Sequence, residues 1–187
     1  MTCIIGLLSD GVAYIGGDSC GSNGWTEEDC AHSKVFRVGD FVIGGTTSFR
    51  MLDLLEYSLT IPEKRPWTDE DLEKFMRTAF VNAVRSCLKD GGFATKKSEA
   101  ELGGTFLVGY KGHLWRVQND YSIITRTKYD SVGCGQMVAF GSLFATETIG
   151  NLSAEHRVTA ALLAAEEHVC GVRGPFNVLS TAVVANG

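Results

Sequence analysis

Residues 1–19, MTCIIGLLSDGVAYIGGDS, contain two short apolar runs separated by a turn. The runs at residues 3–8 and 12–18 have the composition of β-strands, and the Asp-Gly pair between them is typical of a two-residue hairpin turn. In an antiparallel hairpin, each residue before the turn pairs with the residue at the same distance after the turn. The sequence therefore predicts a hairpin that returns Asp18 to within one residue of Thr2.

A second hairpin is predicted farther along the chain. The runs KVFRV (34–38) and FVIGGT (41–46) flank Gly39-Asp40, which is again a turn signal. Pairing outward from this turn sets Lys34 opposite Gly45, next to a pair of threonines. The first hairpin has strands that are apolar on both faces, so we expect its sheet to be covered on both sides.

Asp18 and Lys34 are thus predicted at the open ends of the hairpins, where strands leave the core. One interpretation is a solvated salt bridge, which contributes little to stability. The other is a partly buried pair that meets at Thr2, since a buried charge is costly unless it is paired. The residue pattern by itself leaves both interpretations open.

Two helices are predicted after the second hairpin. Apolar residues recur at helical spacing from Ser48, and this first helix is predicted to end at Ile61-Pro62 with Pro66. The N-cap Thr68, with Asp71 three residues on, begins a long helix that Gly91-Gly92 ends.

The remaining elements complete a layered pattern. Strands are predicted in TFLVGY, HLWRV, YSIITR and a closing FNVLSTAVVA, and helices over about 136–149 and 154–170. The segments 19–33 and 93–103 are predicted as polar loops. This order indicates one domain, residues 1–187, in which β-sheets lie between helix pairs.

Composition excludes several classes of protein. The chain has 187 residues, 44% of them hydrophobic, and a net charge of −5, which excludes a disordered tail and a disulfide-rich mini-scaffold. Its only dense basic patch is Lys96-Lys97, so no nucleic-acid partner is predicted. The N-terminal apolar run is too short for a signal peptide, and no segment reaches membrane length. We therefore expect a cytoplasmic protein without membrane association.

The cysteines and histidines predict neither disulfides nor a metal site. None of the six cysteines forms a CxxC pair, which favours free thiols in a reducing compartment. Only His168 and Cys170 approach the spacing of zinc ligands, so no metal and no cofactor are predicted. Cys3 is expected to pack in the core. His32 is expected in an exposed loop, with the lining of a pocket as the alternative.

Four features together resemble the proteasome β-subunit and HslV peptidase family. They are the stretch 1–19, the strand start Lys34-Val35, FVIGGTTS leading into a helix, and VGCG followed by a helix. The resemblance spans nearly the whole chain in element order and is most specific over the first 50 residues. It implies an α+β fold of the N-terminal-nucleophile (Ntn) hydrolase type, a four-layer αββα sandwich with two antiparallel sheets between helix pairs.

The resemblance also implies roles for individual residues. Thr2 would be the nucleophile after removal of Met1, with its own α-amine as general base, and Asp18 and Lys34 match the charged pair of the family. Cys134 stands where the family usually carries a serine. The backbone N–H of Thr47 matches an oxyanion donor, and Ser22 and Gly135 are the further positions implied for oxyanion or substrate binding.

This chemistry is physically sound for such residues. A threonine hydroxyl is a weak nucleophile, and an α-amine with an ordinary pKa of about 7.7 to 8.0 is a suitable base at neutral pH. A nearby lysine lowers the pKa of that amine or of the hydroxyl, and an aspartate keeps the lysine ionised.

Departures from the family pattern support an alternative. Thr46-Thr47-Ser48 replaces small residues of the family and adds side chains at the substrate edge. A thiol at Cys134 is a weaker hydrogen-bond donor than a hydroxyl. The family's later carboxylate aligns best with Cys170 or His168, and neither is a carboxylate. The alternative is a catalytically weakened or inactive scaffold or binding protein with the same fold and ring assembly.

The function implied by the resemblance is a threonine-type peptidase of a self-compartmentalising ring. Its substrates would be peptides or unfolded proteins, and its partners would be copies of itself in a ring or stacked rings. A ring-shaped ATPase unfoldase is a further partner compatible with the resemblance. Hydrolysis of a small-metabolite amide by the same fold is a third hypothesis, which would require a deep closed pocket.

Overall fold

A computed structural model describes residues 1–22, 25–63, 68–97 and 100–182. Its strands are β1 (Cys3–Ser9), β2 (Val12–Gly17), β3 (Cys20–Ser22), β4 (Glu27–Asp29), β5 (Val35–Val38), β6 (Phe41–Gly45), β7 (Thr95–Lys97), β8 (Ala100–Leu102), β9 (Phe106–Tyr110), β10 (His113–Val117), β11 (Ile123–Arg126), β12 (Tyr129–Gly133) and β13 (Asn177–Ser180). Its helices are α1 (Phe49–Tyr57), α2 (Asp69–Phe75), α3 (Val81–Asp90), α4 (Gln136–Glu147) and α5 (Ala154–His168), and a π-helical turn, Met76–Phe80, joins α2 to α3.

Both predicted hairpins are confirmed with the predicted register. In the first, Ser9 pairs with Val12, and the turn residues Asp10 and Gly11 have φ of 50° and 73°, the left-handed values that a tight hairpin turn requires. In the second, Val38 pairs with Phe41, and the backbone N–H of residue 45 donates to the carbonyl of Lys34. Turn chemistry therefore places each charged residue at the open end of its own hairpin, and packing of the two sheets brings these ends together.

The strands form two larger antiparallel sheets in the described residues. One has the order β12-β1-β2-β13 and the other β11-β10-β9-β6-β5. Strand β12 was not predicted, because its sequence YDSVG carries a carboxylate, Asp130. Asp130 is buried there and pairs with Arg116 and Arg126 from the neighbouring sheet, so partners distant in sequence make the strand stable.

Some predicted boundaries were wrong. The segments 19–33 and 93–103, predicted as loops, contain the short pairs β3-β4 and β7-β8. Helix α1 ends at Tyr57 rather than near Ile61-Pro62, and α4 and α5 each end two residues before the predicted boundary. The closing strand is shorter than predicted, while Pro66 and residues 183–185 lie outside the described residues.

The predicted helix N-termini are confirmed by their caps. The side chain of Ser48 accepts from the backbone N–H of Arg50, and the side chain of Thr68 accepts from that of Asp71. Three acidic residues occupy the first turn of α2, where negative charge favours the helix dipole. The long predicted helix therefore begins where expected and contains the π-helical turn in its middle.

Three groups of buried apolar residues hold these elements together. The largest joins the five-stranded sheet to helices α1 to α3, and the second joins the four-stranded sheet to α4 and α5. The third contains Ile4 and Ile15 from one sheet and Val42 and Leu107 from the other. A Cβ at Gly44 would lie 2.6 Å from Ile15, so glycine permits this close approach. The architecture is mixed α+β with antiparallel sheets, and none of the described helices combines the length and apolar composition needed to span a membrane.

Candidate active site

The first hairpin and the start of β5 bring Thr2, Asp18 and Lys34 together. The Lys34 Nζ lies 2.8 Å from Asp18 Oδ2, and the two side chains are only 2% and 0% exposed. Of the two interpretations of this pair, the geometry therefore fits the buried one. Asp18 Oδ1 also accepts from the backbone N–H of Cys3 at 2.8 Å, which ties the carboxylate to the residue after Thr2.

Additional hydrogen bonds compensate the burial of this ion pair. Asp18 Oδ2 accepts from the backbone N–H of Cys20 at 3.1 Å, and Lys34 Nζ donates to the carbonyl of Cys20 at 2.5 Å. Desolvation of two charges costs several kcal/mol each, roughly, and only such extra bonds make the buried pair tolerable. Lys34 Nζ also donates to the Met1 carbonyl at 3.4 Å, so its charge faces the peptide bond before Thr2.

Thr2 is 8% exposed and is held by the turn that follows β12. Its backbone N–H donates to Cys134 Sγ at 3.3 Å, and Cys134 Sγ donates to the Thr2 carbonyl at 3.4 Å. The Thr2 hydroxyl donates to the Met1 carbonyl at 2.5 Å. The nitrogen and the hydroxyl of Thr2 therefore both face polar groups at the open end of the sheets.

The glycines on either side of Cys134 leave enough space for Cys134 to contact the backbone of Thr2. Gly133 has φ of 102°, and a Cβ there would lie 2.1 Å from the Thr2 carbonyl oxygen. A Cβ at Gly135 would lie 2.7 Å from Cys3 Cβ. The backbone N–H of Gly135 donates to the Thr2 carbonyl at 3.4 Å, so in this structure it contacts Thr2 itself.

A cavity of about 380 Å³ opens beside Thr2. One wall is the segment between β6 and α1, where Thr47 has φ of 71°, a left-handed value that is strained for a β-branched residue. Its hydroxyl accepts from the backbone N–H of Thr105 at 3.3 Å, while its own backbone N–H has no acceptor in the described part of the chain. Ser22 also lines the cavity, and its carbonyl accepts from the Met1 ammonium at 3.3 Å.

No family model and no curated protein sequence matches the chain. Solved structures do. BPH from Thiobacillus denitrificans, in complex with epoxomicin, matches with a TM-score of 0.79 at 19% identity, over 95% of this chain and 97% of that chain. Eukaryotic HslV from Trypanosoma brucei matches with a TM-score of 0.66 at 16% identity, over 95% and 98%. The Gly-1 mutant of Anbu from Hyphomicrobium sp. strain MC1 gives 0.64 at 13%, over 95% and 80%.

The chain has the HslV and proteasome-type β-subunit fold. The resemblance inferred from the first 50 residues and the element order is therefore confirmed at the level of fold. At identities of 13 to 19%, the likeness shows the fold and not the chemistry.

Several other predicted residues lie away from the cavity of this proteasome-type fold. Cys3 is fully buried, and burial raises the pKa of its thiol to about 12, so it packs in the core as expected. His32 Nε2 lies 2.8 Å from Glu56 Oε2 on α1, and His32 is not among the residues that line the cavity. Cys170 and His168 are exposed. Among the described residues, no three His, Cys, Asp or Glu side chains cluster as metal ligands.

Two contacts, one in the site and one beside it, were not predicted from the sequence. The Cys20 carbonyl, which binds Lys34, is a backbone group that no side-chain pattern reveals. Glu27 Oε1 accepts from the backbone N–H of Gly171 at 3.1 Å, in the loop where the family resemblance leaves no carboxylate. A prediction that β3 pairs with β4 would have placed Glu27 opposite Ser22, but the Gly-rich polar sequence of this segment does not indicate strands.

Proposed function

We propose that this chain is a threonine-type peptidase that works in a self-compartmentalising homo-oligomeric ring. In this proposal residues 1–187 are a single Ntn-hydrolase-like domain, and the three buried apolar groups separate the four layers of an αββα sandwich. Thr2 is the nucleophile once Met1 has been removed. The likeness in fold to HslV and BPH supports the proposal.

One observation carries the proposal more than any other. The buried Lys34 ammonium is held by Asp18 at 2.8 Å and faces the Met1 carbonyl, which is bonded to Thr2, at 3.4 Å. A buried lysine and aspartate at a strand end have no structural need to face a threonine at the chain start. A positive charge there favours the deprotonated form of the nucleophile, because it stabilises negative charge on the hydroxyl oxygen.

The chemistry requires a free α-amine at Thr2. While Met1 is attached, this nitrogen is an amide and has no basicity. After its removal, the α-amine takes the proton of the Thr2 hydroxyl as the oxygen attacks the substrate carbonyl carbon. The proton then passes to the departing amine as the tetrahedral intermediate collapses, which leaves an ester on Thr2. A water molecule hydrolyses this ester with the α-amine again as base and restores the enzyme.

The remaining residues of the site assist this sequence. The positive charge of Lys34 disfavours protonation of the nearby α-amine, and Asp18 holds Lys34 in position. The Thr47 backbone N–H has no acceptor among the described residues and is the proposed oxyanion donor. Cys134 Sγ, 3.3 Å from the Thr2 nitrogen, orients the amine, while Ser22 and Gly135 line or support the substrate cleft.

The proposed assembly explains how such a site selects its substrates. A peptidase open to the cytoplasm would cut indiscriminately, whereas a ring or stacked rings admit only peptides and unfolded proteins. An ATPase unfoldase is the type of partner that would feed such a chamber. The cleft is not enclosed and its lining is more polar than apolar, which favours an extended peptide over a small metabolite held in a closed pocket.

Two variants of neighbouring residues test the nucleophile. We expect Thr2→Ala to lower cleavage of fluorogenic peptides by at least about 10³-fold, because the attacking oxygen is lost. Cys3→Ala, the adjacent control, should retain cleavage because its thiol is buried in the core. Intact-mass spectrometry of the active protein should show a chain without methionine.

A ligand-binding assay provides an independent check. BPH binds epoxomicin, and we expect this chain to be stabilised by epoxomicin in a thermal-unfolding assay, with a much smaller effect in Thr2→Ala. Active protein that retains Met1, or equal cleavage by Thr2→Ala, would contradict the proposal. Absence of cleavage in a correctly processed ring would favour the inactive scaffold.

A further inference from the structure

A second cavity of about 200 Å³ adjoins the cavity beside Thr2. The two cavities share Gly21, Ser22 and Phe49 as walls, and the second adds Thr26 and Glu28. Residues of β3 therefore line both cavities: Thr2 lines the first, and Glu28, which pairs with Gly21 in the middle of β3, lines the second. A peptide lying along β3 would meet both in succession.

Glu28 is the only ionisable side chain among the residues that line the second cavity. It is exposed, and within the described residues its carboxylate has no ion-pair partner. The neighbouring Glu27 differs, since it pairs with Arg173 at 3.0 Å and accepts from Gly171. The charge of Glu28 is thus available to a ligand, while that of Glu27 is used within the fold.

Phe49 gives the second cavity an aromatic wall. It is the first residue of α1 and is 41% exposed, so part of its ring is open to a ligand. Gly21 lies next to the Phe49 ring, because a Cβ built on Gly21 would be 3.6 Å from Phe49 Cε2. Since glycine has no side chain, the space beside the ring stays open. A carboxylate and an aromatic ring in one cavity are the groups that bind a guanidinium or ammonium.

The geometry of an extended peptide indicates which residue enters this cavity. Successive side chains of an extended chain point to opposite sides, so the first and third residues share a side and lie roughly 7 Å apart. If the first residue supplies the carbonyl attacked by Thr2, its side chain faces the first cavity. The side chain of the third residue, two positions earlier in the substrate, then faces the adjoining cavity.

We propose that the second cavity is a specificity subsite for a cationic side chain, arginine or lysine, on the third residue of the substrate. This proposal rests on the peptidase function proposed above and adds a substrate class to it. Glu28 pairs with the cation, and the exposed face of Phe49 packs against it. The guanidinium of arginine suits both groups because it is planar and donates in a fork.

Matched peptides test this subsite. The substrates carry arginine, its neutral isostere citrulline, or glutamate at the third position and are otherwise identical. We expect kcat/KM for arginine to exceed that for citrulline by about tenfold, which corresponds to about 1.4 kcal/mol. Glu28→Gln should reduce this ratio to near one, and Phe49→Leu should reduce it partly.

Two controls separate a local charge effect from a general one. Glu155→Gln removes an exposed carboxylate on α5, far from the cleft in the fold, and should leave the arginine preference intact. The preference should also weaken as the salt concentration rises, because exposed charges are screened. Equal rates for arginine and citrulline in the parent protein would overturn the subsite while leaving the peptidase function standing.

The subsite remains testable if no peptide is cleaved. In that case the peptidase proposal fails, but the subsite proposal can still be tested. Fluorescence anisotropy measures binding of the same peptides, labelled with a fluorophore, to the same protein. Tighter binding of the arginine peptide that is lost in Glu28→Gln would support the subsite. Equal binding of the arginine and citrulline peptides would overturn it.

Discussion

At the scale of single residues, the buried pair of Asp18 and Lys34 is the most demanding feature of the molecule. Both charges have left water, and each is compensated by the other and by backbone groups of Cys3 and Cys20. Such a pair need not add stability compared with two apolar residues, but loss of one partner leaves an uncompensated charge. Stability alone does not account for such a pair, whereas the chemistry proposed at Thr2 gives it a role.

This argument predicts an asymmetric mutational response. Lys34→Met should lower the free energy of unfolding by about 3 to 5 kcal/mol, because Asp18 then remains buried without its cation. The double variant Asp18→Asn with Lys34→Met should recover part of that loss, although both variants should be inactive. Urea denaturation followed by circular dichroism measures both. A double variant less stable than Lys34→Met alone would show that the charges are not coupled.

At the scale of secondary structure, Glu73 on α2 links that helix to the five-stranded sheet. Its carboxylate accepts from Trp115 Nε1 on β10 at 2.7 Å, from Thr125 on β11, and from Arg77 one turn later. Burial raises the pKa of Glu73, but these hydrogen bonds and the charge of Arg77 outweigh burial, so its pKa in the folded protein is lowered. The ionised form is therefore favoured by folding.

The sign of this shift gives a pH-dependent prediction. A carboxyl group whose pKa is lower in the folded state contributes stability above its unfolded pKa of about 4.3, and the contribution is lost as pH falls through the folded value. Glu73→Gln should therefore lower the free energy of unfolding by about 1 kcal/mol at pH 7, with a smaller difference below pH 4. Urea titrations at several pH values measure this. Glu63→Gln, a change at an exposed glutamate outside the helices, is the control, and a pH-independent effect of Glu73→Gln would contradict the argument.

The same scale shows what the sequence could and could not predict. Both hairpins followed from their turns, and the N-termini of α1 and α2 followed from Ser48 and Thr68, because these signals are local. Strand β12 was missed since its buried Asp130 is paired by arginines from another sheet. Hairpin register predicted Asp18 near Thr2 and Lys34 at the open end of its own hairpin, but it left open whether the two charges form a buried pair. That pairing depends on the packing of two sheets, and the approach of Glu28 to the cleft depends on pairing of β3 with β4, which no local pattern indicates.

At the scale of the whole molecule, helix α4 has an outer surface that a lone chain leaves uncovered. Met137 and Phe144, two turns apart on that helix, are 72% and 71% exposed, and Leu163 on the neighbouring α5 is 52% exposed. Residues 136–146 carry no charged side chain. Exposed apolar surface of this kind is uncommon on monomers and marks interfaces. The proposed ring assembly supplies a natural occupant, a second copy of this chain.

Phe144→Lys tests this assignment, because a lysine buried against an apolar surface in the assembly would be desolvated without a partner. We expect the parent protein to have the mass of a multi-chain assembly by light scattering, and Phe144→Lys to shift it toward smaller species. Circular dichroism should be unchanged, since Phe144 is 71% exposed in the single chain. Tyr57→Lys, an equally exposed aromatic on α1, is the matched control. A monomeric parent protein would contradict the ring. Dissociation by Tyr57→Lys but not by Phe144→Lys would show that the interface lies at α1 and not at α4.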